Sequence, residues 1–295
     1  MKNFLISLST FCSLTAFAQT EPQRFEPNLI TDSGFGLTLS PDSKTALWVK
    51  SKGKRDTLTI MESQKKDGKW SQPVVASFSS PKGEWKDIDP VFSPDGKTVL
   101  FQSTRSVENY PDRKGFDIWA VTKTKNGWSA PYHLGHTINT NASESYASMT
   151  KNGNIYFMKE NEDQKGKSDI YVSKYVKGEY QKPVNLGSPI NTTERESNPY
   201  ISPNEDYILY FSTNPNGFGE IDLYISFNSK GKWSEPVNLG KPINSELAEF
   251  CPFLHQKEKK LYFSRQKKME NGIMIEDFYS VDFDVKKYQE ANKKT

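Results

Sequence analysis

The amino-acid sequence predicts an all-β fold, a β-propeller of five four-stranded blades closed by an N-terminal strand. The main observation is a Trp-Ser-x-Pro phrase and one degenerate copy, which begin at Trp70, Trp128, Tyr180 and Trp233. The spacings of 58, 52 and 53 residues indicate one unit repeated about every fifty residues, as in propellers. Aromatic residues at 13% of the chain, with many Gly, Pro, Asn and Ser, are typical of short strands joined by turns.

A second landmark in each unit is a turn, which predicts a hairpin between strands A and B. It is written Ser-Pro-Asp at Ser40 and Ser93, Ser-Pro-Asn at Ser202, and occurs in eroded form at Thr150 and His255. Pro fixes φ, and Asp, Asn or Gly tolerates the later turn positions. A β-rich strand C follows at Asp117, Asp169 and Asp222, and the Trp-Ser-x-Pro phrase forms strand D. Because Pro belongs on edge strands, strand D is the outermost of the four.

Counting the units gives the number of blades. Five A–B hairpins are followed by only four strands D. Residues 25–29, Phe-Glu-Pro-Asn-Leu, echo the Pro-Val-Asn-Leu of strand D. We therefore expect this N-terminal segment to complete the last sheet, which leaves no exposed edge in the ring. The expected number is five blades rather than six, because no sequence remains for another.

The repeat resembles that of the TolB-like propeller family, a Pro-Asp relative of the WD40 repeat. The resemblance rests on residues 90–97 (Pro-Val-Phe-Ser-Pro-Asp-Gly-Lys), on Phe101 and on residues 117–119 (Asp-Ile-Trp). Residues 236–244 look like the version found in Bacteroidetes envelope proteins. The resemblance covers nearly the whole mature chain and implies a family of mostly non-catalytic scaffolds and recognition modules.

The N-terminal sequence indicates where the protein is located, and the charge pattern limits the classes of partner that it binds. Residues 1–18 are predicted to be a signal peptide, with Lys2 at the positive end and a cleavage site after Ala18. A single propeller domain, residues 19–295, is then expected in the periplasm or outside the cell. Its only cysteine is Cys251, so no intramolecular disulfide forms. The net charge is +3 with both signs interspersed, so we expect neither nucleic-acid binding nor membrane insertion.

An acidic residue recurs at the start of strand A, six residues before the hairpin Ser or its equivalent. It is Asp87, Glu144, Glu196 and Glu249 in blades 2 to 5, whereas blade 1 has Gly34. The innermost strands line a propeller channel, so these acids are expected to form a partial ring at its mouth. Paired carboxylates are what glycoside hydrolysis requires, which makes Asp87, Glu144 and Glu196 candidate catalytic residues.

A structural interpretation of the same acids competes with the catalytic one. A group repeated in four blades fits the construction of the repeat, because chemistry usually needs unlike groups. The end of strand B lies beside the start of strand A, which predicts ion pairs of Asp87 with Arg105, Glu144 with Lys159 and Glu249 with Arg265. Glu196 has Thr213 opposite it and Arg195 beside it.

Function is expected where the repeat is broken. Blade 2 carries an extra stretch, residues 106–114 with Tyr110 and Arg113, and blade 5 carries residues 266–276 at the same place. Loops on a rigid scaffold often build recognition sites, and Trp85 lies in an irregular connector where it stacks on a ligand or fills its own loop. His133 and His136 lack an evident third ligand, so no metal and no cofactor is expected.

These observations favour a non-catalytic binding or scaffold propeller of the cell envelope that recognises a protein or a glycan. The alternative is a carbohydrate-active enzyme, a glycoside hydrolase that uses the acids at the channel mouth. The oligomeric state is not predicted. The residues expected to bind the partner are Trp85, Asp87, Arg105, Tyr110, Arg113, Glu144, Glu196 and Glu249.

Overall fold

The computed structural model describes residues 20–107, 115–160 and 167–292. They form five antiparallel sheets of four or five strands around a central axis, with one further two-stranded ladder, so the predicted five-bladed propeller is confirmed. The inner strand of each blade contacts that of the next blade, and the inner strand of blade 5 contacts that of blade 1. The ring is therefore closed.

The first two blades and the N-terminal strand account for eleven short strands of the described chain. A lone strand comes first, β1 (Gln23–Arg24). Blade 1 contains β2 (Gly34–Leu39), β3 (Thr45–Lys52), β4 (Thr57–Lys66), β5 (Lys69–Trp70) and β6 (Val74–Val75). Blade 2 contains β7 (Asp87–Phe92), β8 (Thr98–Ser103), β9 (Asp117–Thr124), β10 (Gly127–Trp128) and β11 (Tyr132–His133).

The remaining blades repeat this order. Blade 3 contains β12 (Glu144–Met149), β13 (Ile155–Glu160), β14 (Ser168–Ser173), β15 (Tyr175–Val176), β16 (Glu179–Tyr180) and β17 (Val184–Asn185). Blade 4 contains β18 (Glu196–Ile201), β19 (Tyr207–Ser212), β20 (Asp222–Ser229), β21 (Lys232–Trp233) and β22 (Val237–Asn238). Blade 5 contains β23 (Ala248–His255), β24 (Lys260–Lys268) and β25 (Met274–Asp282), and α1 (Val285–Asn292) follows it.

Strand D differs from the prediction because its proline divides it. In blade 1 the Trp70 half, β5, and the Val74 half, β6, pair separately with β4. Pro73 between them has no N–H to donate to a ladder, so pairing stops there. The same division occurs in blades 2 and 4, where β10 and β11, and β21 and β22, pair separately with strand C.

The N-terminal segment closes the ring as expected, but two residues earlier than predicted. Strand β1 pairs antiparallel with β25, and the N–H of Phe25 donates to the carbonyl of Phe278 at 2.8 Å. Residues 26–30 then turn, because Pro27 cannot donate the next ladder bond. Phe25 packs edge-on against Trp70 and Tyr262, with ring centroids 6.4 and 5.6 Å away, so it joins the first and last blades.

The core lies between neighbouring sheets. Each strand B contributes at least one buried aromatic side chain, and these include Trp48, Phe101, Phe157, Phe211 and Phe263. Strand D tryptophans reach the preceding blade, as the contact of Trp233 with Tyr156 at 6.3 Å shows. Among the described residues, no helix has the length and apolar character needed to cross a membrane.

The repeated connector asparagines, Asn139, Asn191 and Asn244, bind the backbone of strand C. The side-chain amide of each asparagine forms two hydrogen bonds with one residue of strand C: its oxygen accepts from the backbone N–H, and its NH₂ group donates to the carbonyl. Asn139 bonds Ile118 in this way at 2.7 and 3.0 Å, and Asn244 bonds Leu223 at 2.8 and 3.0 Å. The amide group thereby supplies the acceptor for the strand N–H and a second donor to the carbonyl, which also accepts from the N–H of Leu134 or Leu239.

Candidate functional site

The four repeated acids are buried inside the blades. The exposed fractions are 0% for Asp87, Glu144 and Glu249 and 1% for Glu196. The three glutamates share one arrangement, in which the carboxylate accepts bonds from the N–H and hydroxyl of the residue four positions earlier. These donor residues are Thr140, Thr192 and Ser245. The acids therefore anchor the connector that leads into each inner strand.

Two of the predicted ion pairs are present. Asp87 accepts a hydrogen bond from the Arg105 guanidinium at 2.8 Å, and Glu249 accepts one from Arg265 at 2.7 Å. The other predicted partners lie differently. The Lys159 ammonium lies over the ring of Tyr171 at 6.0 Å. Glu196 accepts a bond from the hydroxyl of Ser212 at 2.8 Å.

Blade 1 has glycine in place of the acid because a side chain would not fit there. A Cβ at Gly34 would lie 2.3 Å from the carbonyl oxygen of Val49 and 2.9 Å from the ring of Phe278. The aromatic ring of blade 5 occupies the space that the carboxylates use in the other blades.

The residues on either side of Asp87, Glu144 and Glu196 line a cavity of about 380 Å³, and Phe250 beside Glu249 also lines it. Successive side chains of a strand point to opposite faces, so an acid buried in the blade places its neighbours toward the axis. The flanking pairs are Lys86 and Ile88, Ser143 and Ser145, and Arg195 and Ser197. Residues from all five inner strands line this cavity, which therefore lies on the propeller axis, and we call it the axial cavity.

The floor of the axial cavity is made by β-bulges. All five inner strands shift register after their second or third residue. The bulged residue in each case has a left-handed backbone: Gly36, Asp89, Tyr146, Asn198 and Cys251. A bulge re-aims its side chain, and three of these residues, Asp89, Asn198 and Cys251, line the cavity.

Asp89, Asn198 and Cys251 form one hydrogen-bonded group. The amide oxygen of Asn198 accepts a bond from the N–H of Cys251 at 3.0 Å. The Cys251 sulfur lies 3.5 Å from carboxyl oxygen Oδ1 of Asp89. Burial raises the pKa of Asp89 to about 7, although the Cys251 hydrogen bond and Arg55 oppose the rise. Burial likewise raises the pKa of the Cys251 thiol, so the sulfur stays protonated.

Charged and aromatic side chains form the walls above this floor. Arg55 pairs with the fully buried carboxylate of Glu276 and lies over the ring of Phe35 at 4.6 Å. The guanidinium of Arg195 lies over the ring of Phe211 at 5.3 Å. Glu160, at the end of β13, is exposed and also lines the cavity. A ligand here meets carboxyl groups, cations and aromatic rings.

Trp85 and Arg105 pack on one another beside the Asp87 pair. The Arg105 guanidinium lies 5.2 Å from the Trp85 ring and 5.3 Å from the Trp119 ring. It also donates to the carbonyl of Phe78 at 3.0 Å, so it fastens the Trp85 connector to blade 2. Tyr110 and Arg113 lie outside the described residues.

The histidines of blade 2 lie at the end of strand D and in the connector after it, where His133 forms hydrogen bonds that hold the connector to the blade. His133 bonds Asp117 at 3.0 Å and Asn139 at 2.9 Å, and its ring lies 5.7 Å from that of His136. In the described part of the chain, no group of three or more His, Cys, Asp or Glu residues could hold a metal ion.

The opposite end of the axis differs in chemistry. A cavity of about 150 Å³ there is lined by the A–B turns, including Pro41, Pro94 and Pro203, and by Leu254. Tyr146 and Tyr200 cross the interior toward blade 5, donating to the carbonyls of Pro252 and Leu254 at 3.0 and 2.7 Å. The polar axial cavity and this apolar one are thus at the two ends of the propeller.

Sequence reasoning missed Asp89, Glu160 and Arg195. One feature of the sequence could have indicated Asp89. The position two residues after the repeated acid holds a different residue type in each blade, including Gly36, Asp89 and Cys251. Unlike groups at one repeat position indicate a site better than a repeated acid does. In a regular strand, side chains two positions apart point to the same face, so this residue would lie on the buried face with the acid. The β-bulge is what turns its side chain toward the axis.

No protein-family model matches the chain, and no curated protein matches it. Among solved structures, it is similar to a glycoside hydrolase, with TM-score 0.58, 7% identity, and 89% and 91% of the two proteins covered. It is also similar to an alpha-L-arabinofuranosidase from Lactobacillus brevis, with TM-score 0.52, 11% identity, and 86% and 92% covered. A third is the Bacteroides ovatus xyloglucan PUL GH43B protein, with TM-score 0.51 and 13% identity. That match covers 88% of this protein and 54% of the other.

These neighbours are mostly propeller glycoside hydrolases. At such low identities the likeness shows the fold alone, which agrees with the five blades described above. The resemblance to TolB-like propellers stays a prediction.

Proposed function

We propose that this protein is a carbohydrate-active propeller that binds a glycan in the axial cavity and hydrolyses a glycosidic bond there. The observation that carries the proposal is the carboxyl group of Asp89, buried at the floor of the cavity with a pKa of about 7. It shares the cavity with the exposed carboxylate of Glu160. The names of the similar solved structures add support, since two of them are a glycoside hydrolase and an arabinofuranosidase.

The proposed chemistry uses the two carboxyl groups in unlike roles. Glycoside hydrolysis needs one carboxylic acid to protonate the leaving oxygen and one carboxylate to activate water or attack the anomeric carbon. A pKa near 7 keeps a proton on Asp89 near neutral pH, which suits the acid. Glu160 is assigned the carboxylate role. Asp87, Glu144 and Glu196 hold the connectors instead, because their oxygens are occupied by backbone, hydroxyl and guanidinium donors.

A second candidate is recognition of an envelope glycan or protein without turnover. Among the five bulged residues, all of them described, only Asp89 carries a carboxyl group, and Glu160 lies at the exposed rim. A buried carboxyl group such as that of Asp89 can bind a sugar hydroxyl without donating a proton to a leaving group. In both candidates the protein is exported to the periplasm or beyond, in keeping with the signal peptide predicted at residues 1–18.

The test is release of reducing sugar from a panel of polysaccharides and aryl glycosides by the mature protein. Asp89→Asn and Glu160→Gln are compared with wild type, and Glu235→Gln is the control because Glu235 is exposed on the outer edge of blade 4. We expect turnover to fall at least a hundredfold in the first two variants and not in the control. Turnover that Asp89→Asn leaves unchanged would overturn the proposal, and binding without any turnover would establish the second candidate.

A further inference from the structure

We infer that the glycan of the axial cavity is anionic, carrying a uronic-acid carboxylate, and that Arg195 binds this carboxylate. The inference rests on the proposed function, which it deepens by naming the substrate class. It starts from the pairing of the arginines. Among the described arginines, four form an ion pair with a carboxylate and Arg195 alone does not. The paired ones are Arg24, Arg55, Arg105 and Arg265.

The surroundings of Arg195 nevertheless favour an anion beside it. It is half-buried in the wall of the cavity, and burial lowers the pKa of its guanidinium, while Glu160 partly offsets the effect. A guanidinium partly removed from water, with no carboxylate hydrogen-bonded to it, loses hydration that the Phe211 ring and Glu160 only partly replace. In the described structure the guanidinium donates no hydrogen bond, so its fork of N–H donors is open to a ligand.

The position of Arg195 is fixed before any ligand arrives. Its N–H donates to the hydroxyl of Thr213 at 3.1 Å, and its carbonyl accepts from the N–H of Thr213 at 3.1 Å. Its guanidinium lies over the ring of Phe211 at 5.3 Å. A planar guanidinium held in this way loses little conformational entropy when it binds a carboxylate through two hydrogen bonds.

The charge balance of the axial cavity favours the same ligand. Three cations line it, Arg55, Lys86 and Arg195, and Glu276 neutralises Arg55 from behind. Lys86 forms no ion pair within the described residues. Among the described residues that line the cavity, the two cations without an ion-pair partner are Lys86 and Arg195. The negative charges in the cavity are the carboxylate of Glu160 and the fraction of Asp89 that is ionised. The surplus is positive, so an anionic sugar is favoured over its neutral counterpart.

The experiment uses matched pairs of ligands. An array carries galacturonate, glucuronate and mannuronate oligosaccharides beside the same oligosaccharides with their carboxyl groups reduced to alcohols. Mature wild type is compared with Arg195→Met, which keeps the apolar stem, and with Arg195→Lys. Arg24→Met is the control, because it removes an equal charge from an exposed arginine of the N-terminal strand.

We expect wild type to bind at least one uronate ten times more tightly than its reduced counterpart. Arg195→Met should abolish that preference, Arg195→Lys should keep part of it, and Arg24→Met should keep all of it. Equal or tighter binding of the reduced sugars would overturn the inference and leave the proposed function standing. Binding of neither series, with no turnover on the neutral panel, would overturn both. A preference that survives Arg195→Met would overturn the inference that Arg195 binds the carboxylate.

Discussion

The sulfur of Cys251 lies 3.5 Å from the carboxyl oxygen Oδ1 of Asp89, although 162 positions separate the two residues in the chain. One belongs to the inner strand of blade 5 and the other to that of blade 2, so the contact spans the axis. Both residues occupy the β-bulge of their strand. The contact therefore depends on closure of the ring, and it forms the floor on which the proposed site is built.

The buried carboxyl group of Asp89 should make stability depend on pH. Its pKa is about 7 in the folded protein against 3.8 for an ordinary aspartate, so between these values the native state keeps a proton that the unfolded state has lost. Stability is then greatest below the lower value and falls as pH rises toward 7, by about 4 kcal/mol in total. Urea unfolding at pH 5 and pH 8 measures the part of the fall that lies above pH 5, about 3 kcal/mol, and this part should be absent in Asp89→Asn.

Glu196 and Glu249 also have raised pKa values because of burial, and they act in the same direction. They are present in both proteins, so the difference between wild type and Asp89→Asn isolates residue 89. Parallel stability curves for the two proteins would contradict the assignment.

The repeated acids should prove structural when they are removed. Glu249→Ala leaves the Arg265 guanidinium and the connector N–H groups without their buried partner, which should cost about 3 kcal/mol of unfolding free energy. Chemical denaturation measures the loss, and Glu235→Gln serves as the exposed control. Folded Glu249→Ala should still bind the glycan. A variant of full stability that has lost glycan binding would instead place Glu249 in the site.

The glycine of blade 1 should be required by packing. Gly34→Ala brings a Cβ to 2.3 Å from the carbonyl oxygen of Val49, and relief of such an overlap by a shift of backbone should cost about 3 kcal/mol. Gly68→Ala meets no atom within 4 Å and should cost only about 1 kcal/mol, for its left-handed backbone. Similar thermal unfolding of the two variants would show that blade 1 has room for a side chain.

Ring closure should depend on Phe25. Phe25→Ala removes a partly buried ring that contacts Trp70 of blade 1 and Tyr262 of blade 5, which should cost about 2 kcal/mol. Hydrogen exchange should then rise in β25, the partner of the N-terminal strand, more than in β20 of blade 4. An equal rise in both strands would mean that the ring opens as a whole rather than at this seam.

Periodic features of the sequence predicted the fold well. The Trp-Ser-x-Pro phrase recurs in four blades and the Ser-Pro-Asp turn in all five, each in exact or eroded form. Their spacing therefore predicted the number of blades, and the missing fourth strand of blade 5 predicted the closing segment. The pairs Asp87 with Arg105 and Glu249 with Arg265 followed from register, since the start of strand A lies opposite the end of strand B.

The site could not be predicted in the same way, for two physical reasons. A β-bulge adds a residue that no hydrophobic pattern reports, and it turned Asp89, Asn198 and Cys251 from the blade interior to the axis. The repeated acids drew attention because they repeat, whereas the cavity is built from positions that differ between blades. The predicted acids and the inner-strand residues that line the axial cavity belong to the same end of those strands, but the acids lie on the buried face and the lining residues on the axial face.

Binding of the glycan in the axial cavity is the central claim. The most direct measurement is a crystal structure of mature Asp89→Asn with an oligosaccharide found to bind wild type. We expect a sugar within hydrogen-bond distance of the side chain at position 89 and of Glu160, with an anionic group on Arg195. An ordered sugar at the apolar end, among Pro41, Pro94 and Pro203, or on the outer edges of the blades with the axial cavity unfilled, would contradict the claim.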